Sequence, residues 1–211
     1  MAEHKAWVWE KVASDYWRTP ADDVYALLYR WQKAGRARLL DLGSGPGRHA
    51  ILFAQNGFRV TGFDLSESGL AELGARAREL GLDVETVAGD LVSLPFADGS
   101  FDCAIAYQSI YHVDSVGMAR AVAEARRVLA ENGELFVTLI AKEGSGTDGF
   151  IDDHVRMKRE EDGSILPHYY VGEGDLAATL RGFEILACRY VRDLRADGAT
   201  SPHYHVRARR I

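Results

Sequence analysis

Apolar residues follow two different spacings along the chain. Ahead of Arg36 the spacing is helical. Trp7, Trp9, Val12 and Tyr16 fit one amphipathic segment, and Val24, Leu27, Leu28 and Trp31 fit a second, with Pro20 at its start and Gly35 at its stop. From Arg36 onward the apolar runs become short and continuous. RARLLDL (Arg36–Leu42), FRVTGFD (Phe58–Asp64), LDVETVAGD (82–90), FDCAIAY (101–107) and GELFVTLI (133–140) each read as a strand, the first apolar enough for a central parallel one. Helix-forming segments separate them: 48–56, closed by Asn56-Gly57; a stretch capped by Ser66 and running to about Leu80; and 115–130, with Met118, Val122, Ala125 and Leu129 on one face. Repeated strand–helix alternation predicts an α/β fold, a doubly wound, Rossmann-like sheet.

The rhythm breaks between about Ala141 and Gly174, a polar, glycine-rich and aromatic segment expected to be irregular and either functional or mobile. A short helix from Asp175 to Arg181 leads into FEILACRYV and HYHVRAR. These two last strands are expected to pair antiparallel around a turn at Asp197-Gly198.

Composition narrows this picture. The 211 residues, 47% hydrophobic and 27% charged, suffice for one well-buried core and one domain. The net charge of −6 argues against nucleic acid as the main partner. The arginines at 192, 195, 207, 209 and 210 read as a solvated edge strand and tail. Cys103 and Cys188 sit in apolar runs, as small buried hydrophobes rather than disulfide or zinc ligands. With no apolar stretch near the roughly 20 residues of a membrane span and no signal-peptide core, a cytoplasmic chain without a membrane role is expected.

The chemistry concentrates in LLDLGSGPGRHA (39–50). A buried strand breaks into glycines at 43, 45 and 47 and restarts as a helix, which brings bare backbone amides up to a ligand. A dinucleotide turn would need glycine at position 48, where Arg48 stands, and no Lys-Ser or Lys-Thr follows to make a phosphate loop. Asp64 ends the second strand about 20 residues on, where a carboxylate can accept both hydroxyls of a ribose. Asp90 ends the third and can accept from an adenine amino group, with the Leu91 amide beside it and Leu65 against the ring. Asp41 lies inside the first strand and needs turn amides or a cationic ligand to satisfy it.

The order LLDLGSGPG, VTGFDLS, AGDLVSLPF, SFDCAIAYQSIYHV, RRVLAENGELFVTL resembles the class I S-adenosylmethionine-dependent methyltransferases. It is most similar to the small-molecule type grouped with ubiquinone-biosynthesis and tellurite-resistance-like enzymes, the methyltransferase type 11 group. The resemblance covers about Arg36 to Ile140. It implies a seven-stranded, mostly parallel sheet with an antiparallel last strand, N-terminal helices as a cap, and S-adenosyl-L-methionine as cofactor. It further implies that Asp41, Gly43, Ser44, Gly45 and Gly47 contact the methionine part, Asp64 the ribose, Asp90 and Leu91 the adenine, and Tyr107 the region of the sulfonium. Tyr16 would close over the cofactor. Ser44 stands where cysteine is common.

On this reading 1–211 is a single methyltransferase domain. Residues 1–35 form a helical cap or lid, 36–140 the cofactor-binding core, 141–174 a substrate-side insert, and 175–211 a closing helix and β-hairpin. In-line methyl displacement needs alignment and exclusion of water more than a fixed catalytic residue. His112 is the first candidate base, with Tyr111 beside it. His154, His168, Tyr169 and Tyr170 are candidate acceptor contacts, expected to hold a small, partly apolar molecule. No metal site is expected, although His203 and His205 would share one face of a strand. Two other readings stand beside this one: a non-catalytic S-adenosylmethionine-binding sensor or partner protein, and a nicotinamide-dependent oxidoreductase on a related fold.

Overall fold

In the computed structural model, the residues described are 6–9, 12, 15–145, 149–159, 163, 165–194 and 200–211. Nine strands form one sheet. The first five are β1 (Arg38–Leu42), β2 (Arg59–Asp64), β3 (Val84–Ala88), β4 (Phe101–Ala106) and β5 (Leu129–Ala141), in the parallel order β3-β2-β1-β4-β5. β8 (Phe183–Leu194) and β9 (Thr200–Arg210) form the expected closing hairpin. β9 runs antiparallel to both β5 and β8, which completes the seven-stranded sheet implied by the resemblance. The expected turn at Asp197-Gly198 lies outside the described residues.

Alternation along the strands supplies two cores. Leu39, Cys103, Ile105 and Phe136 face one side and pack with α1 (Asp22–Lys33), α2 (Arg48–Gln55) and α3 (Glu67–Glu79). Leu40, Leu42, Ala104, Leu135 and Val137 face the other and pack with α4 (Ser115–Val128) and α5 (Leu176–Thr179). Side chains buried on both faces explain why these strands read as continuous apolar runs. Ser66 and Asp114 cap α3 and α4 through the Gly69 and Gly117 amides.

Three expectations change and one alternative is settled. Where helical spacing suggests a first amphipathic segment, residues 6–8 and 12 carry no helix, Trp9 lies in a 3-10 turn, and a short 3-10 piece follows at Asp15–Arg18. The second segment is α1, and of the two alternatives, cap or lid, it takes the cap: it lies on the sheet, with Trp31 1% exposed against Phe53. The insert is not irregular. β6 (Val155–Arg159) and β7 (Ile165–Val171) form a hairpin. β7 joins β5 at Ile140 and Ala141 on the edge that β4 leaves after Ala106, because β9 holds the other edge. Finally, Cys103 is buried but Cys188 is exposed on β8, an outer strand whose side chains are mostly solvated.

Candidate cofactor and acceptor site

The turn between β1 and α2 is built on backbone that only glycine adopts without strain. Gly43, Gly45 and Gly47 have φ of 74°, 50° and 81°. A Cβ at Gly43 would sit 2.2 Å from Ser109 Cβ, and one at Gly47 would sit 2.2 Å from Leu73. The amides of Gly43 and Ser44 donate to the Phe63 carbonyl at 2.7 and 3.1 Å, docking the turn onto the end of β2.

Two carboxylates tie this corner together. Asp64 accepts from the Gly45 amide through Oδ2 and from the Ser66 amide through Oδ1, both at 2.7 Å. Burial still raises its pKa, against the pull of those amides. Asp41 is 2% exposed, and its Oδ2 accepts from the Ala50 amide at 3.0 Å, so an acid of β1 serves the first turn of α2. Burial pushes its carboxyl up to about 7, although the Ala50 amide and the charge of Arg48 pull the other way. Turn amides therefore hold both acids in place without fully offsetting their desolvation.

Arg48 opens α2 and is 5% exposed. A cation at the positive end of a helix costs about 0.3–1 kcal/mol, so the sequence accepts a penalty there. Gly47 packs against Leu73 of α3, and the Arg48 side chain turns into the site. Its Nη1 donates to the Tyr16 carbonyl and its Nη2 to Gln108 Oε1, both at 3.1 Å. The rings of Tyr16, Trp17 and Tyr107 lie 4.9–5.1 Å from the guanidinium. Gln108 holds a φ of 53°, unusual for a residue with a side chain, and also accepts from the Tyr16 hydroxyl at 3.0 Å.

A cleft of about 930 Å³, counted to its open mouth, lies at the carboxyl ends of β1, β2 and β4. Open α/β sheets place ligands there. Of the sequence-derived cofactor residues, Asp41, Gly43, Ser44, Asp64, Leu65, Asp90, Leu91 and Tyr107 line it. Gly45 and Gly47 do not; the Trp9 indole covers Gly45, and Leu73 covers Gly47. Tyr16 stands outside the wall, half exposed, and acts on the site through Arg48 and Gln108. Burial raises the Tyr107 hydroxyl pKa. Asp90 accepts from the Val92 amide at 3.1 Å.

Gln108, expected with Tyr107 near the sulfonium, lines the cleft, while pattern reading assigned no contacts to Arg48, His49, Ser109 and the indoles of Trp7, Trp9 and Trp17. The indoles pack on one another at 5.5–5.8 Å. The count of tryptophans before residue 35 was the available signal, and the lid or flap it suggests is, among the described residues, an aromatic cover with Trp9 and Trp17 in short 3-10 turns. The Arg18–Glu72 pair at 2.7 Å and the bond from Ser66 Oγ to the Trp7 carbonyl at 2.5 Å hold this cover against α3. His49 is 3% exposed, and its Nε2 accepts from the Ala21 amide at 3.4 Å. Burial keeps it neutral, its pKa well below the usual range.

The acceptor candidates separate. His112 lines the cleft, with its ring 5.9 Å from Trp7. Tyr111 is buried in the core and does not line the cleft; its ring meets those of His112, His168 and His203. His168, 1% exposed on β7, stands behind His112 at 4.5 Å between ring centroids. His154 and Tyr169 stack at 4.8 Å and line a second, shallower hollow with Asp175 and Ser115. Tyr170 packs on Phe150 and Arg156. His203 is buried, its pKa lowered to about 4, and His205 Nδ1 lies 2.5 Å from Asp23. Among the described residues no cluster of three or more metal-ligating side chains forms, and no helix is long and apolar enough to cross a membrane.

Comparison with known proteins gives this site a context. Residues 39–133 match a family model described as a methyltransferase domain. The chain is 32% identical over 186 residues to the malonyl-[acyl-carrier protein] O-methyltransferase of Erwinia pyrifoliae, covering 84% of this chain and 68% of that protein. It is 36% identical over 139 residues to the ubiquinone/menaquinone biosynthesis C-methyltransferase UbiE of Paracoccus denitrificans, covering 64% of this chain and 48% of that one. The match spans less than half the length of several curated relatives. A SAM-dependent methyltransferase structure from Methanosarcina mazei, 21% identical, superposes with a TM-score of 0.75 over 92% of this chain and 99% of that one, which shows the fold. With its ordered motifs, its seven-stranded sheet and these relatives, the chain belongs to the class I S-adenosylmethionine-dependent methyltransferases.

Proposed function

We propose that the chain transfers the methyl group of S-adenosyl-L-methionine to a small-molecule acceptor. The observation that carries this is the lining of the cleft: Asp41, Asp64 and Asp90 together with the indoles of Trp7, Trp9 and Trp17. Buried acids whose protons are held too tightly, in a cleft walled by aromatic faces, suit a cationic ligand. The residues present therefore fit the cofactor. When bound, its sulfonium supplies an electrophilic methyl group.

The chain's own residues do the rest. The Asp64 carboxylate keeps lone-pair capacity for a ribose hydroxyl beyond the backbone amides it already holds. Asp90 and Leu91 are placed for the adenine. The aromatic cover keeps water from the reacting atoms. His112 is the lining residue able to take a proton from an acceptor hydroxyl or amine. Cytoplasmic location and a nucleic-acid-free role belong to the same reading.

The relatives include a C-methyltransferase and an O-methyltransferase, so the decisive screen carries both kinds of acceptor. The protein is incubated with S-adenosylmethionine and a panel of quinols, phenols and small carboxylic acids, and S-adenosylhomocysteine and methylated product are measured by mass spectrometry. The expected result is equal release of both with at least one acceptor. Tight cofactor binding without turnover across the panel would favour the sensor reading instead.

A further inference from the structure

The sheet ends on a long free edge. β8 is 12 residues long and pairs with β9 on one side; among the described residues no strand pairs with its other side. Such an edge presents a row of unpaired amides and carbonyls, which folded proteins blunt with bulges or charges. The bulge of β8 lies near its start, between Ile185 and Ala187, and leaves 187–194 regular. The far end of the hairpin also lacks a neighbour. β9 pairs with β5 from Arg209 to His203, so 192–194 and 200–202 run past β5 as two strands only, an arrangement that is marginal in water. Tyr190 and Leu194 are 47% and 73% exposed on this edge strand.

The charges on the regular stretch are Arg189, Arg192 and Asp193, all exposed. Against an unrelated strand they blunt the edge. Against a second β8 their order matters. Two copies sharing an antiparallel edge are related by a twofold axis perpendicular to the sheet. Each residue then keeps its face, and cross-strand partners share a face, so a symmetric register must be centred on a residue. Centred on Arg189 or Arg192, the pairing sets a cation against itself. Centred on Tyr190, it brings no opposite charges together. Centred on Val191, it sets Arg189 against Asp193 twice, Tyr190 against Arg192 twice, and Cys188 against Leu194. We propose that β8 is a homodimer interface, pairing antiparallel with β8 of a second copy about Val191. The dimer closes, because each copy has one such edge to give. It also braces β9, whose His203 and His205 rings meet Tyr111 and Tyr107 behind the cleft. A single strand pair is a small interface, so a dissociation constant of roughly 1–100 μM is expected.

Sedimentation velocity across a concentration series tests this on the unmodified protein and on charge reversals. The wild type is expected to pass from monomer to dimer with rising concentration and to stop there. Asp193→Arg sets arginine against Arg189 at both ends of the register and is expected to weaken the dimer about tenfold or more. Arg189→Asp alone, which sets aspartate against Asp193, is expected to do the same. The double variant Arg189→Asp with Asp193→Arg restores both opposite-charge pairs and is expected to return the dimer to within about threefold of the wild type. All three changes fall on exposed side chains, and rescue by the double variant separates a lost contact from a lost fold. A wild type that stays monomeric up to about 500 μM, well above the expected constant, would overturn the inference. So would a dimer that neither single reversal weakens, a dimer that the double reversal fails to restore, or assembly that continues past two copies.

Discussion

The two halves of the sheet's carboxyl edge are built on different principles. On the β1–β2 side the backbone makes the site. Gly43 and Gly47 have no room for a Cβ, Asp64 is fixed by the Gly45 amide of the turn, and Asp41 by the Ala50 amide in the first turn of α2. On the β5–β7 side the side chains make it. Tyr111, His112, His168 and His203 converge from a loop and two strands that lie far apart in sequence. A backbone site tolerates few residue types and so leaves a compact motif. A side-chain site can be assembled from anywhere and leaves none.

Substitution at two glycines with the same backbone conformation would break this contrast most visibly. Gly47 and Gly163 have φ of 81° and 84°, but a Cβ meets Leu73 at 2.2 Å in the first and nothing within 4 Å in the second. Gly47→Ala is expected to cost about 2–5 kcal/mol, backbone strain plus overpacking, and Gly163→Ala about 1–2 kcal/mol from backbone alone. Urea melts of the two variants measure it, and similar losses would mean that the turn is no more constrained than the insert.

The histidines sharpen the other half. If His112 takes a proton from the acceptor, His112→Gln should lower turnover about 100-fold. His154→Gln, in the separate hollow, should stay within about threefold. Steady-state rates on any acceptor found in the screen decide between them, and equal losses would move the acceptor toward the β6–β7 hairpin.

A smaller effect concerns Asp41. Its carboxyl is raised to about 7 in the folded chain, against an ordinary value near 4. A raised acid favours the fold below its ordinary pKa, and that contribution is lost as pH rises through about 7. Asp41→Asn keeps an acceptor for the Ala50 amide without the charge. It should melt a few degrees higher than the wild type at pH 8 and lose that advantage toward pH 5. A bound cation should return the wild-type carboxyl to its ionised form. Cofactor binding should then release close to one proton at pH 6 and almost none at pH 8, which calorimetry in buffers of different ionisation enthalpy detects.

How much of this was legible in the sequence follows from the same difference. The strands and helices from Arg38 to Ala141 could be read because burial on both sheet faces imposes continuous apolar runs. Asp64 and Asp90 were readable from their places at strand ends. The β6–β7 hairpin was not, because the outer face of β6 is solvated and Arg156, Lys158 and Arg159 hide its period. The aromatic cover misled in form, since Trp7, Trp9 and Val12 fall at near-helical spacing while the indoles are placed by Gly45 and Gly69, which leave room for Trp9. Arg48 was legible only for what it speaks against. Read against a dinucleotide motif it is a misfit; its role shows only when Tyr16, Gln108 and Tyr107 close around it from three places in the chain.

The claim beneath all of this is that the glycine turn and its three acids hold a sulfonium-bearing nucleoside. The most direct test is calorimetric titration of the unmodified protein with S-adenosylhomocysteine and, separately, with NADH. The account predicts one-to-one binding of S-adenosylhomocysteine and no measurable heat with NADH. Binding of NADH with no response to S-adenosylhomocysteine would contradict it.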